Sequence, residues 1–254
     1  MARVTSTDGT SLWYATAGTG PPLILVGGGL DDGAENAPLM PLLADRSTVY
    51  NYARRGRGRS EDTLPYAVAR EIEDLGALIS VAGRAVHLFG ASSGGALALH
   101  AAAAGLPVER VAVYEVPYMT SSSMVTAFQA YGRELAVLLK SGQHGAAVEL
   151  FMRLAGAPDA DIAAARQAPV WPGLERLAPT LAYDAACLGD GGVPVRMLAR
   201  VKAPVLVATG ALFEEAADMA VDALPDATRL VITGQGHVAD PAFLAPLLAD
   251  FFLR

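Results

Sequence analysis

Short apolar runs alternate with longer helical patterns along this chain, and that rhythm constrains its fold more than any other feature. The strand-like runs are Leu12–Ala17, Leu23–Val26, Thr48–Tyr52, Ala85–Phe89, Val111–Glu115, Val205–Thr209 and Arg229–Ile232. Several are apolar at every position, the pattern of strands covered on both faces. Helical patterns fall at Ala67–Val81, Ser93–Ala104, Glu214–Leu224 and Pro241–Phe252. The order predicts an α/β fold, a mostly parallel central sheet flanked by helices. With 254 residues, 52% of them hydrophobic, the chain has enough apolar surface for one large domain spanning 1–254.

The rhythm breaks once. No convincing strand lies between Glu115 and Val205, where helix-like segments such as Ala127–Leu139 and Ala146–Leu154 are cut by Gly and Pro. Tyr118 to Gly192 is therefore expected to be a helical lid insertion over one edge of the sheet, with plain packing on a sheet face as the alternative. Inserted segments of this length commonly shape a pocket. Tyr118, Met119, Met124, Phe128, Tyr131, Phe151, Trp171 and Tyr183 are candidates for an apolar lining, and about half of them are expected to form the insertion's own core.

Charge and cysteine content narrow the function classes. The formal net charge of -7 argues against nucleic acid or an anionic membrane as the main partner and leaves a small-molecule substrate as the expectation. Cys187 is the only cysteine, which excludes an intrachain disulfide and a cysteine-rich metal site. The N-terminal residues show no apolar signal-peptide core, so the expected location is cytoplasmic. Oligomeric state is not readable from the sequence.

One segment carries chemistry. Ala85 to Phe89 reads as a strand, Gly90-Ala91-Ser92-Ser93-Gly94-Gly95 as a tight turn, and Ala96 to His100 as a helix. A serine on a sharp strand-to-helix turn is held in a strained backbone that pushes its hydroxyl out of the sheet, and small neighbours let adjacent segments approach. The following N–H, that of Ser93, lies at a helix N-terminus, where it can stabilise an oxyanion. Gly90-x-Ser92-x-Gly94 makes Ser92 the candidate nucleophile, although Ala91-x-Ser93-x-Gly95 fits a looser version of the same turn. Neither a GxGxxG run nor a Walker lysine accompanies it, which disfavours a phosphate-binding turn.

Of four histidines, His87 and His100 sit inside a predicted strand and helix, and His144 has no motif around it. His237 follows the last strand on the glycine-rich loop Gly234-Gln235-Gly236-His237, from which it could reach over the sheet edge to Ser92 as general base.

With these segments the chain resembles the α/β-hydrolase superfamily, particularly its small bacterial esterase-like members. The resemblance rests on Pro21 to Gly29, on Tyr52-Ala53-Arg54-Arg55-Gly56-Arg57-Gly58-Arg59-Ser60, on the serine turn, on Ala203 to Gly210, and on Gly234 to His237. It implies that the loop after the third strand supplies a second oxyanion N–H, from Gly29 or Leu30. It also implies that the arginine run is a structural loop, that the acid lies between Ser92 and His237 in chain order, and that no metal or organic cofactor is required.

Three positions depart from the family pattern. Gly27-Gly28 stands where His-Gly is usual, Ala53 where Asp is usual, and Phe213 where the acid is expected. Glu214 could replace that acid by a one-residue shift. Glu215, Asp218 and Glu115 are further candidates. The resulting expectation is a serine hydrolase cleaving an ester, thioester or related acyl bond of a small, largely apolar molecule. The alternatives are a lyase, eliminase or cyclase of secondary metabolism on the same fold, and a non-catalytic small-ligand-binding module.

Overall fold

The computed structural model describes residues 2–253. Its strands are β1 (Ala2–Thr5), β2 (Ser11–Ala17), β3 (Pro22–Val26), β4 (Thr48–Tyr52), β5 (Val86–Ala91), β6 (Val108–Tyr114), β7 (Val205–Thr209) and β8 (Ala227–Val231). They form one sheet in the order β1-β2-β4-β3-β5-β6-β7-β8. β2 runs antiparallel to both of its neighbours, β1 and β4, and every other pairing is parallel. Strands thus appear where the apolar runs predict them. β1, absent from that prediction, adds an edge strand of mostly exposed residues.

Helices α1 (Leu39–Leu43), α2 (Val68–Ala82) and α3 (Ser93–Ala103) occupy the first half of the chain. Between β6 and β7 come α4 (Ser122–Lys140), α5 (His144–Leu154), α6 (Asp159–Gln167), α7 (Trp171–Leu177), α8 (Leu181–Leu188) and α9 (Val195–Leu198). This is the stretch expected to hold helices and no strand, and an isolated parallel bridge from Met119 to Gly192 ties its two ends together. α10 (Glu214–Ala223) and α11 (Pro241–Phe252) close the fold.

Two apolar layers account for the uninterrupted strands. Along β3, Ile24 and Val26 enter the layer beneath α2, α3 and α10, while Leu23 and Leu25 enter the layer beneath α1 and α11. All four are fully buried. Alternate residues point to opposite faces, so a strand covered on both sides is apolar throughout. No helix among the described residues is long and apolar enough to cross a membrane.

β5 lies in the interior of the sheet between β3 and β6. Its C-terminal end therefore faces the loops after both neighbours, and in open parallel sheets such loop clusters form the binding crevice.

Candidate active site

Ser92 sits at the junction of β5 and α3 with φ 53° and ψ −129°, a conformation that costs a non-glycine residue free energy. Its N–H donates to the Tyr114 carbonyl at 2.9 Å, which fixes the turn to the end of β6. The glycines around it are needed for close approach. A methyl on Gly94 would lie 2.3 Å from the Val26 carbonyl oxygen, and one on Gly28 would come within 3.1 Å of Ser92 Cβ. Ser93, by contrast, is buried and its hydroxyl donates to Asp184 Oδ1 at 2.7 Å. Of the two serines, only Ser92 occupies the strained apex.

Ser92 and His237 line one cavity of about 180 Å³, partly open to solvent. Gly29, Ser93, Phe151 and Asp184 line it too. From the expected apolar lining, Met119, Phe128, Tyr131 and Phe151 face this space. Tyr118 and Trp171 are core residues, Met124 is exposed, and Tyr183 stacks on Tyr66 with ring centroids 3.7 Å apart. The other histidines are elsewhere. His87 stacks on Phe252, where burial holds its imidazole below the ordinary range. His100 meets the Cys187 carbonyl, and His144 begins α5.

Of the four candidate acids, the one beside His237 is Glu115, not Glu214. Glu115 follows β6 directly with φ 52° and is fully buried. Its Oε1 accepts the N–H groups of Gly210 at 2.6 Å and Leu212 at 3.2 Å. Its Oε2 is left facing His237 Nδ1 at 3.6 Å, just beyond hydrogen-bond distance, and neither atom has another partner among the described residues. Glu214 is exposed in the first turn of α10, a position that acidic residues favour for the helix dipole alone. Glu215 accepts from Thr120, and Asp218 pairs with Arg229. The loop after β7 thus contributes backbone donors in place of an acid, and Phe213 packs edge-on against the His237 ring at 5.8 Å. The Tyr114 hydroxyl donates to the Gly236 carbonyl and secures the histidine loop.

Behind Gly27–Gly29 stands a feature the sequence reading did not anticipate. Arg54, Arg55 and Arg57 of the basic run are all buried. Arg55 pairs with Asp74 and Asp8. Arg54 forms a two-pronged contact with Glu71 at 2.6 and 2.7 Å and also meets Asp184 at 2.8 Å. Arg57 meets the same Asp184 oxygen at 2.7 Å. Burial alone would raise the Asp184 and Glu71 carboxyls, but the adjacent guanidinium groups outweigh it and hold both below the usual carboxylate range. Arg54 also donates to the Gly27 carbonyl at 3.2 Å, and Arg57 to the Gly28 carbonyl. In a planar trans peptide the N–H opposes the C=O, so Arg57 turns the Gly29 N–H away from itself.

A family model described as the alpha/beta hydrolase family matches residues 23–247. The chain belongs to that family. Among solved structures, an alpha/beta hydrolase from Sphaerobacter thermophilus is 43% identical, with TM-score 0.90 over 99% of this chain and 100% of that one. A thermophilic esterase from Thermogutta terrifontis is 21% identical, with TM-score 0.74 over 99% and 97% of the two chains. An enol-lactonase from Burkholderia xenovorans is 20% identical, with TM-score 0.74 over the whole of both chains. The latter two likenesses speak to the fold.

Proposed function

We propose that this α/β-hydrolase cleaves an ester, thioester or related acyl bond of a small, largely apolar molecule, using Ser92, His237 and Glu115. Ser92 attacks the carbonyl while His237 takes its proton through Nε2. Glu115 keeps the Nδ1 side protonated and stabilises the imidazolium that forms. The N–H groups of Ser93 and Gly29 receive the oxyanion, with Arg57 fixing the orientation of the Gly29 peptide. His237 then returns the proton to the leaving alcohol or thiol, and water repeats the sequence to release the acid.

The observation that carries this reading is the buried Glu115 carboxylate set on the Nδ1 side of His237, in a cavity that His237 shares with Ser92. That placement leaves the other ring nitrogen for the serine. The mostly apolar wall agrees with an apolar substrate.

The test is turnover of short p-nitrophenyl esters together with labelling by a fluorophosphonate. Ser92→Ala is expected to lower kcat by about 10⁴-fold or more and to abolish labelling. A Ser92→Ala variant that keeps most of its activity on an identified substrate would overturn the nucleophile and favour lyase or cyclase chemistry. An inert, unlabelled wild type would overturn hydrolysis.

A further inference from the structure

The two oxygens of Asp184 are used very differently. Oδ1 accepts three hydrogen bonds, from Arg54 at 2.8 Å, Arg57 at 2.7 Å and the Ser93 hydroxyl at 2.7 Å. Oδ2 is buried and has no donor among the described residues. A buried, ionised carboxylate oxygen can only accept, so Oδ2 calls for a donor that the protein does not supply. Asp184 lines the Ser92 cavity, and its Oδ2, closed off from solvent, lies 3.5 Å from the point where a methyl on Gly29 would be.

That position matters because the Gly29 N–H is one of the two groups assigned to the oxyanion. A carbonyl bound there lies beside Asp184, and Phe128, Phe151 and Leu188 form apolar surface in the same cavity. We propose that Asp184 Oδ2 recognises a neutral hydrogen-bond donor on the acyl half of the substrate, a hydroxyl or amide N–H one or two carbons from the scissile carbonyl. The inference rests on the Ser92 reading for where that carbonyl sits.

Charge decides for a neutral donor. The guanidinium groups of Arg54 and Arg57 are matched by the carboxylates of Glu71 and Asp184. An ammonium brought into this apolar cavity would add a charge that the cluster does not balance, whereas a hydroxyl satisfies Oδ2 and leaves the balance intact. A site with a buried acceptor also rejects a ligand that leaves it unpaired far more strongly than an apolar wall rejects a missing methylene.

The experiment compares kcat/KM of the wild-type protein for methyl butyrate, methyl 2- and 3-hydroxybutyrate, methyl 3-methoxybutyrate and methyl 3-aminobutyrate, followed by acid release. At least one hydroxy ester is expected to exceed methyl butyrate tenfold or more, with the methoxy ester no better than methyl butyrate. In Asp184→Asn the amide oxygen takes the three donors and the NH₂ replaces Oδ2, so the preference should invert towards the methoxy ester. Hydroxy and methoxy esters within twofold of each other in the wild type overturn the proposal, and a best rate with the amino ester overturns its neutral-donor clause.

Binding of 3-hydroxybutyramide and 3-methoxybutyramide, measured by calorimetry, separates this inference from the hydrolysis reading. Tenfold tighter binding of the hydroxy amide without turnover of any ester upholds the recognition and defeats hydrolysis. Turnover without discrimination does the reverse, and neither turnover nor discrimination defeats both.

Discussion

Replacing Glu115 by Gln changes almost no volume and isolates what its charge does. Glu115 Oε1 holds two backbone N–H groups, those of Gly210 and Leu212. An amide at this position keeps both bonds only if its oxygen takes the Oε1 place, which sets its NH₂ where Oε2 faced His237 Nδ1. A donor there makes Nδ1 an acceptor and moves the ring proton to Nε2. The histidine then presents N–H to Ser92 and cannot take its proton. A wrong tautomer of this kind lowers kcat about 10³- to 10⁴-fold in serine hydrolases, roughly 4–5.5 kcal/mol of barrier. KM should change little, because Glu115 is fully buried and does not line the cavity. The assay is p-nitrophenyl butyrate hydrolysis, paired with a thermal melt to confirm folding. Glu214→Gln serves as the comparison and is expected to stay within about twofold, since that side chain is exposed. A folded Glu115→Gln with near-normal kcat, or a collapse in Glu214→Gln, would refute the assignment.

Arg57→Met, in the fraction shown to be folded by a thermal melt, should lower kcat about 10- to 100-fold with little change in KM, because the Gly28 peptide loses the donor that orients it; a folded variant with unchanged kcat would remove Arg57 from that role. Gly94→Ala places a methyl 2.3 Å from the Val26 carbonyl oxygen, and denaturant titration should show a loss of about 3 kcal/mol or more. Asp184 titrates below its ordinary value of 3.8 in the folded protein, so the stability it adds is present above that pH and disappears as pH falls through the folded value. The stability gap between wild type and Asp184→Asn, read from urea midpoints, should therefore narrow as pH falls from about 5 to about 3. A gap that widens on acidification would reverse the sign of that linkage.

What the sequence made legible follows from how locally each feature is encoded. The central strands are continuous apolar runs because two helical layers cover them. The helices carry their period within themselves, and Ser92 announces itself through glycines a few residues away. β1 is short and largely exposed, and α1 has five residues, so neither leaves a periodic trace. The acid was ambiguous for a different reason. Glu115, Glu214, Glu215 and Asp218 all lie near the end of β6 or in α10, and only the left-handed backbone at Glu115 decides which one turns inward. Asp184 could have been suspected as a lone charge in the apolar run Leu181 to Leu188, a pattern that demands a buried cation. Its arginines lie 127 and 130 residues away in the chain, a separation that no local pattern spans.

Adjacent parallel strands lie only about 4.8 Å apart, so a carboxylate can move from the end of one to the end of the next and still reach the same imidazole. Under the proposed assignment the acid stands at the end of β6 and not of β7, and the segment from Gly210 to Phe213 serves through the N–H groups of Gly210 and Leu212. Gly210 is pinned by the Gln235 carbonyl and Phe213 by the His237 ring, which leaves Leu212 as the cavity-lining side chain of the segment open to change. Leu212 sits at the cavity wall, and exchanging it offers a way to reshape which molecules enter, whereas Phe213 packs against His237 and is not free in the same way.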